Sequence, residues 1–421
     1  MRPMIKLLIL ADDFTGALDS SVQLAKVGTP TRVVTDLAVD FCSGEITDGV
    51  EALVIDTETR HLDAPQAKSI VYGICKRAVM AGIGTIYKKT DSALRGNIGA
   101  ELEGALLGSA EKILCFIPAF PKLGRTTVNG IHYFNGVPIH ETVFGSDPFD
   151  PVHSAEIKSI IGEQSRLHVH LESDSTEPLA GQEPQIILFD AADNEALQQV
   201  ARRIKNKYPI RVLAGCAGFA ECLPQLLNLQ RREFSVCLPS ANLFVISGTL
   251  NPITSQQLKT AQEHGFPSII LTAQQKLQGV GEDEAGERFL DGILREYQSS
   301  GRLILMTGSN DTGADDSRKQ REVVSRNIGK IVYRLLKKGL NGTLVVTGGD
   351  TLQGVLEQLH CVYISPVCEI ETGVALSYAT LQNSSLMLIS KSGGIGSIDV
   401  FRNMERFLQD TTFTIAGSHT A

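Results

Sequence analysis

The sequence predicts an α/β protein built as two α/β domains, each with a mostly parallel sheet flanked by helices. Two observations carry this. Short apolar runs alternate with segments of helical periodicity along most of the 421 residues, the pattern left by successive βα units. The length also exceeds what one core ordinarily serves. A charged stretch, Arg231-Arg232-Glu233, leads to Pro239-Ser240 near the middle, so the domains expected are 1–238 and 239–421.

In the first half, strands are expected at 5–10, 31–35, 52–55, 84–88, 112–117, 186–190 and 210–213. Helical periodicity covers 16–27, 64–81, 97–109, 193–206 and 216–227. Leu7 to Leu10 suit a strand buried on both faces of a parallel sheet,. Residues 118–153 break the alternation, and Asn129-Gly130 marks a tight turn within a hairpin over 128–139,. Glu172 to Pro184 reads as a polar surface loop. After the boundary, strands are expected at 243–246, 268–272, 302–306, 343–347 and 386–390. The helices between them fall near 252–264, 283–297, 318–338 and 351–359.

Chemistry concentrates where these strands end. Asp12-Asp13 follow the first strand, and open α/β sheets bind ligands outside the carboxyl ends of their strands. A helix cap needs one carboxylate, so a second beside it points to function. After the third strand, Arg60 offers a planar fork to a carboxylate or phosphate; the plain alternative is an ion pair with Glu58 or Asp56. After the fourth strand, Lys88, Lys89, Asp91, Ser92, Arg95 and Asn97 lie about a turn at Gly96, a mixture suited to an anion with several hydroxyls,. Pro118 and Pro121 stiffen the path to Arg125,. In the second half Ser247-Gly248-Thr249, Gly348-Gly349-Asp350-Thr351 and Ser392-Gly393-Gly394 each follow a strand. Three such turns in one domain suit a nucleotide phosphate site. Thr307 to Asp311 reads as a simple turn.

Several classes are excluded by composition and motif. A formal charge of −8 without a basic block argues against nucleic acid as partner,. No apolar stretch reaches bilayer length, and the first residues lack a signal peptide's apolar region, so a cytoplasmic location is expected. Eight cysteines occur with no Cys-x-x-Cys pair, consistent with reduced core residues rather than zinc ligands. Neither the Walker sequence nor Gly-x-Gly-x-x-Gly is present.

Taken in order, these segments resemble the four-carbon acid sugar kinases. The matching elements are Ala-Asp-Asp-Phe-Thr-Gly-Ala at 11–17, residues 89–97, Pro118 to Thr126, and Asp147-Pro148. Gly-Gly-Asp-Thr at 348–351 and Lys391 to Gly396 complete the series. Ala93 and the Thr249-Leu250-Asn251-Pro252 turn depart from the common pattern. The resemblance implies transfer of a phosphoryl group from ATP, with Mg²⁺, to the 4-hydroxyl of a sugar acid. D-threonate is the expected acid, with D-erythronate and 3-oxo-tetronate as alternatives; a non-catalytic sugar-acid sensor is the rival from another class.

By the same resemblance, the acid sits in the first domain, ATP in the second, and the active site in the cleft between them. Asp12 or Asp13 would deprotonate the hydroxyl, with Asp12 preferred because it follows the strand directly. Asp12, Arg60, Lys89, Asp91, Ser92, Leu94, Arg95, Asn97 and Arg125 would bind the acid, and Arg60 and Arg95 would clamp its carboxylate. Ser247, Gly348, Gly349, Asp350, Thr351, Gly393 and Gly394 would hold ATP. Metal ligands stay unassigned, and a homodimer is one open assembly state.

Overall fold

A computed structural model describes residues 5–42, 44–147, 150–173, 183–230, 234–237, 241–249, 251–308, 318–382, 384–409 and 412–415. Most of the expected loop 172–184, half of the 230–241 junction, residues 309–311 of the expected turn, and Pro148 lie outside the described residues. The chain separates into two compact units, Met1–Arg232 with Gly417–Ala421, and Glu233–Ala416.

The first unit runs β1 (Leu7–Ala11), α1 (Phe14–Ala25), β2 (Thr31–Val34), α2 (Gly44–Thr47), β3 (Ala52–Asp56), α3 (Ala64–Met80), β4 (Thr85–Lys89), α4 (Ile98–Gly108) and β5 (Ile113–Ile117). It continues with β6 (Arg125–Val128), β7 (Ile131–Phe134), β8 (Val137–Pro138), α5 (Ile157–Gly162), β9 (His168–Leu171), β10 (Gln185–Leu188), α6 (Asn194–Lys207), β11 (Val212–Gly215), α7 (Ala217–Ala220) and α8 (Leu223–Leu226). Its sheet order is β2-β3-β1-β4-β11-β5-β10-β9, and every pairing within it is parallel. β1 is buried at every position, as its unbroken apolar run requires.

From β1 the chain goes first to β2, returns to β3 between β2 and β1, then crosses to β4 on the other side of β1. The carboxyl ends of β1, β3 and β4 therefore meet at a topological switch point, with Ala11 in register with both Asp56 and Lys89,. Helix α1 begins at Phe14, earlier than the sequence suggests, because Asp13 caps it by accepting from the Gly16 amide at 3.0 Å,. The helix expected over 216–227 is instead two short ones. Pro224 lies in the first turn of the second, where its missing N–H costs nothing, whereas inside a continuous helix it would break the ladder. The hairpin turns at Asn129-Gly130, both at positive φ, and adds β8 as a third strand.

The second unit comprises β12 (Phe234–Cys237), β13 (Leu243–Ser247), α9 (Pro252–Glu263), β14 (Ser268–Ile270), α10 (Ala273–Gln278), α11 (Glu284–Ser300), β15 (Arg302–Met306) and α12 (Arg318–Lys337). There follow β16 (Thr343–Thr347), α13 (Gly349–Gln358), β17 (Cys361–Glu371), β18 (Val374–Leu381), β19 (Ser385–Lys391), α14 (Val400–Gln409) and β20 (Thr412–Ile415). The order is β14-β15-β13-β16-β19-β18-β17, and β12 pairs separately with β20. β14, β15, β13, β16 and β19 pair in parallel in that order, while β17 and β18 form an antiparallel hairpin, joined antiparallel to β19 through β18, that is absent from the sequence expectations. Val245, Ile304, Val345 and Ile389 from the sheet pack with Phe401 and Met404 of α14 in its core. β13 and β16 form a second switch point, with Ser247 in register with Thr347.

Candidate functional site

Three strand ends of the first unit carry one charged network. The Arg60 Nε donates to Asp12 Oδ2 at 2.8 Å, and its terminal nitrogens reach the two oxygens of Asp13 at 2.9 and 2.7 Å. Lys89, on β4, sits 3.2 Å from Asp12 and 3.5 Å from Asp13. Arg95 forks onto Asp91 at 2.8 and 3.1 Å and reaches Asp147 at 3.0 Å. Two glycines make room. A Cβ at Gly16 would collide with the Lys89 ammonium, and Gly96, at φ 82°, would place one 2.8 Å from Arg60 Cγ. That φ is strained for other residues, so Gly96 lets the turn lie against Arg60.

Charge balance decides the protonation states. Burial alone would raise the Asp12 carboxyl, but Arg60, Lys89 and Lys88 together hold it well below the carboxylate range,. Asp91 is likewise held low, with Arg95 and Arg60 outweighing burial. Burial works against the Lys89 charge, yet Asp12 and Asp13 raise its pKa above the ordinary lysine value. Beneath them Lys88 and Glu101, both fully buried, pair at 2.9 Å, and Lys88 also donates to the Leu10 carbonyl. The floor of the site is therefore a fixed ion lattice, not a set of mobile surface charges.

The structure brings Asp12, Asp13, Arg60, Lys89, Asp91 and Arg95 together at this edge. Arg60 does not pair with Glu58 or Asp56, the plain alternative from sequence; it is buried on the aspartates instead. Asp12, preferred from sequence as the base, is only 2% exposed, whereas Asp13, held by the same two cations, has a side chain 22% exposed. Asn97 turns its amide NH₂ to the carbonyls of Thr59, Arg60 and Leu62 and so props the loop. Leu94 is buried at φ 64° and shapes the turn. Ser92 is half-buried.

Sequence reasoning missed His132. Burial pushes its imidazole down to about 4, so the ring is neutral. Its Nε2 lies 3.0 Å from the Ser92 carbonyl and its Nδ1 3.1 Å from Thr127 Oγ1. Nε2 must then carry the proton and Nδ1 accept from the hydroxyl. The ring thus ties the β6–β7 hairpin, and Arg125 with it, to the 91–97 turn. Histidine after an Asn-Gly turn gives no signal of this from sequence.

In the second unit the three glycine turns converge. A Cβ at Gly348 would meet Thr249 Cβ at 3.4 Å, one at Gly393 would meet Thr249 Oγ1 at 3.3 Å, and one at Gly394 would meet Asn251 Nδ2 at 3.4 Å. Thr347 Oγ1 donates to Ser247 Oγ at 2.9 Å, and Gly248 abuts the Thr351 side chain. Gly349 opens α13. Asp350 is exposed and 3.5 Å from Arg321. Two supports were not foreseen. Gln257 Nε2 faces the carbonyls of Gly396 and Ser397 at 2.9 and 2.8 Å. Lys391, 2% exposed, donates to Thr254 Oγ1 and the Ser392 carbonyl, and burial brings its pKa down to about 8.

Among the described residues, no group of three His, Cys, Asp or Glu could hold a metal ion. No described helix is long and apolar enough to cross a membrane.

Comparison with known proteins adds independent findings. A family model described as a sugar-binding N-terminal domain matches residues 7–223, and one described as a nucleotide-binding C-terminal domain matches 244–401. A D-threonate kinase of Salmonella typhimurium is 30% identical over 93% of this chain and 96% of its own. Another, from Bordetella bronchiseptica, is 27% identical over 96% and 98%. A crystal structure from Salmonella typhimurium LT2 shares the fold at TM-score 0.77 and 21% identity, covering 96% of this chain and 100% of that one.

Proposed function

The chain belongs to the four-carbon acid sugar kinase family, and from that premise we propose that it transfers the γ-phosphoryl group of ATP to the 4-hydroxyl of D-threonate. The observation that carries the reading is the ion lattice around Asp12 and Asp13 at the switch point of the first sheet. Phosphoryl transfer asks a protein mainly to position groups and neutralise charge. A rigid, largely buried lattice whose Asp13 carboxylate is part-exposed supplies both.

In this reading Asp12 fixes Arg60 and Lys89, and Asp13 receives the hydroxyl proton. Asp91 and Ser92 orient the remaining hydroxyls. The triphosphate lies on the turns at Ser247, Gly348 to Thr351 and Gly393-Gly394, where backbone N–H groups and the start of α13 favour anions. A Mg²⁺ ion bound to the nucleotide would neutralise its phosphates; such an ion is ordinarily held by phosphates and a few carboxylates rather than by an all-protein cage.

The test is a coupled ADP-release screen of the purified protein across D- and L-threonate, D-erythronate and 3-oxo-tetronate. D-threonate should give the highest kcat/KM. ADP release that depends on none of these acids would remove the reading; a clear preference for another would reassign the substrate.

A further inference from the structure

Arg60 and Arg95 were expected from sequence to clamp the substrate carboxylate, yet both are already paired within the protein. Arg60 is held by Asp12 and Asp13, Arg95 by Asp91 and Asp147, and Lys89 by the two aspartates. Recruiting either arginine for a ligand would strip a buried carboxylate of its partner, which is costly.

Arg125 is different. Among the described residues no acidic side chain pairs with it, and its Nε is buried without a hydrogen-bond partner. Its guanidinium lies over Phe134 at 5.3 Å and over Phe144 at 5.2 Å, ring centroid to Cζ. Phe144 also faces Arg95, at 5.6 Å, which places Arg125 beside the lattice. Aromatic rings do not occupy its N–H donors as a carboxylate would, so these are left for an acceptor,. Burial lowers its pKa, and Asp91 opposes that only in part, so the charge is under-compensated. The proline path from Pro118 and the His132 tie hold this side chain in place before any ligand arrives.

We propose that Arg125, and not Arg60 or Arg95, receives the carboxylate of the sugar acid through its in-plane N–H edge, and so makes the site select acids over the corresponding polyols. The assignment rests on the proposed function for the identity of the acid. Arg60 and Arg95 then act as positioning residues that hold Asp12, Asp13 and Asp91 toward the hydroxyls.

The experiment is calorimetric titration of wild type, Arg125→Met and Arg125→Lys with D-threonate, its uncharged polyol D-threitol, and ATP. Wild type should bind the acid roughly 100-fold or more tightly than the polyol, as a desolvated charge-assisted pair requires. Arg125→Met should bind acid and polyol alike, with ATP affinity unchanged. Arg125→Lys keeps the charge without the fork, and should weaken the acid about tenfold while retaining part of the preference; it carries the test if the Met variant does not fold. A retained acid preference in Arg125→Met, or unchanged acid affinity in Arg125→Lys, overturns the assignment. So does an equal loss of all three ligands. Tight, Arg125-dependent acid binding without turnover would leave this assignment standing and sink the kinase reading. A wild type that binds no four-carbon acid overturns both.

Discussion

A carboxylate buried beside a guanidinium and an ammonium is stabilised as the anion, which makes it a strong anchor and a weak base. Asp12 is in that position, and Asp13, more exposed, keeps a path to a ligand. The two substitutions should therefore fail differently. Asp12→Asn leaves Arg60 and Lys89 under-compensated in the interior and should cost about 3–5 kcal/mol of stability, read as an earlier cooperative melt. Asp13→Asn keeps the helix cap, since Asn caps as well as Asp, and should lower kcat by roughly 10²–10⁴ while D-threonate still binds. The reverse pattern, a stable inactive Asp12→Asn and an active Asp13→Asn, would return the base role to Asp12. The candidate charges at this edge were legible in the sequence because they cluster just after strand-like runs. Their partners were not. Arg60 reaches Asp12 across 48 positions of chain, and nothing local distinguishes that choice from Glu58 or Asp56.

Elements built from one clean period were legible, and those that break it were not. β15 and β16 fall where the apolar runs placed them, and the hairpin at Asn129-Gly130 follows from its turn chemistry,. The β17–β18 hairpin was missed because Pro366 lies within β17 and the register shifts repeatedly, between Pro366 and Cys368 among other places. Each irregularity interrupts the two-residue alternation that marks a strand. The support of the 393–397 turn is another property of elements, because α9 supplies it through Thr254 and Gln257, one turn apart on a buried face. Gln257→Leu removes the donor and strands the carbonyls of Gly396 and Ser397. A lost buried hydrogen bond of this kind is worth about 1–3 kcal/mol. The variant should raise KM for ATP roughly tenfold and leave KM for D-threonate unchanged. Steady-state kinetics with equal shifts in both, or in neither, would show that the turn does not serve the nucleotide.

On the scale of the whole molecule, both units follow one plan. In each, a parallel sheet reverses its winding beside the first strand of the unit's core, β1 in one and β13 in the other, and the polar turns gather at the carboxyl ends on that line,. The sequence showed the strand ends but not the strand order, so convergence could be argued only from composition; the register of Ala11 with Asp56 and Lys89, and of Ser247 with Thr347, provides it. The first turn set is an ion lattice beside Arg125, with which no acidic side chain among the described residues pairs, and the second is a set of glycine turns on a helix start. In the proposed reading the first takes the hydroxylated acid and the second the phosphate chain. The central claim is therefore the transfer of a phosphoryl group to the terminal hydroxyl of the acid, and proton-coupled ³¹P NMR of the reaction of ATP with D-threonate tests it most directly. A new phosphomonoester signal, split into a triplet by the two C4 protons, should grow in step with ADP. A doublet from a single methine proton, an uncoupled acyl phosphate, or inorganic phosphate alone would contradict it.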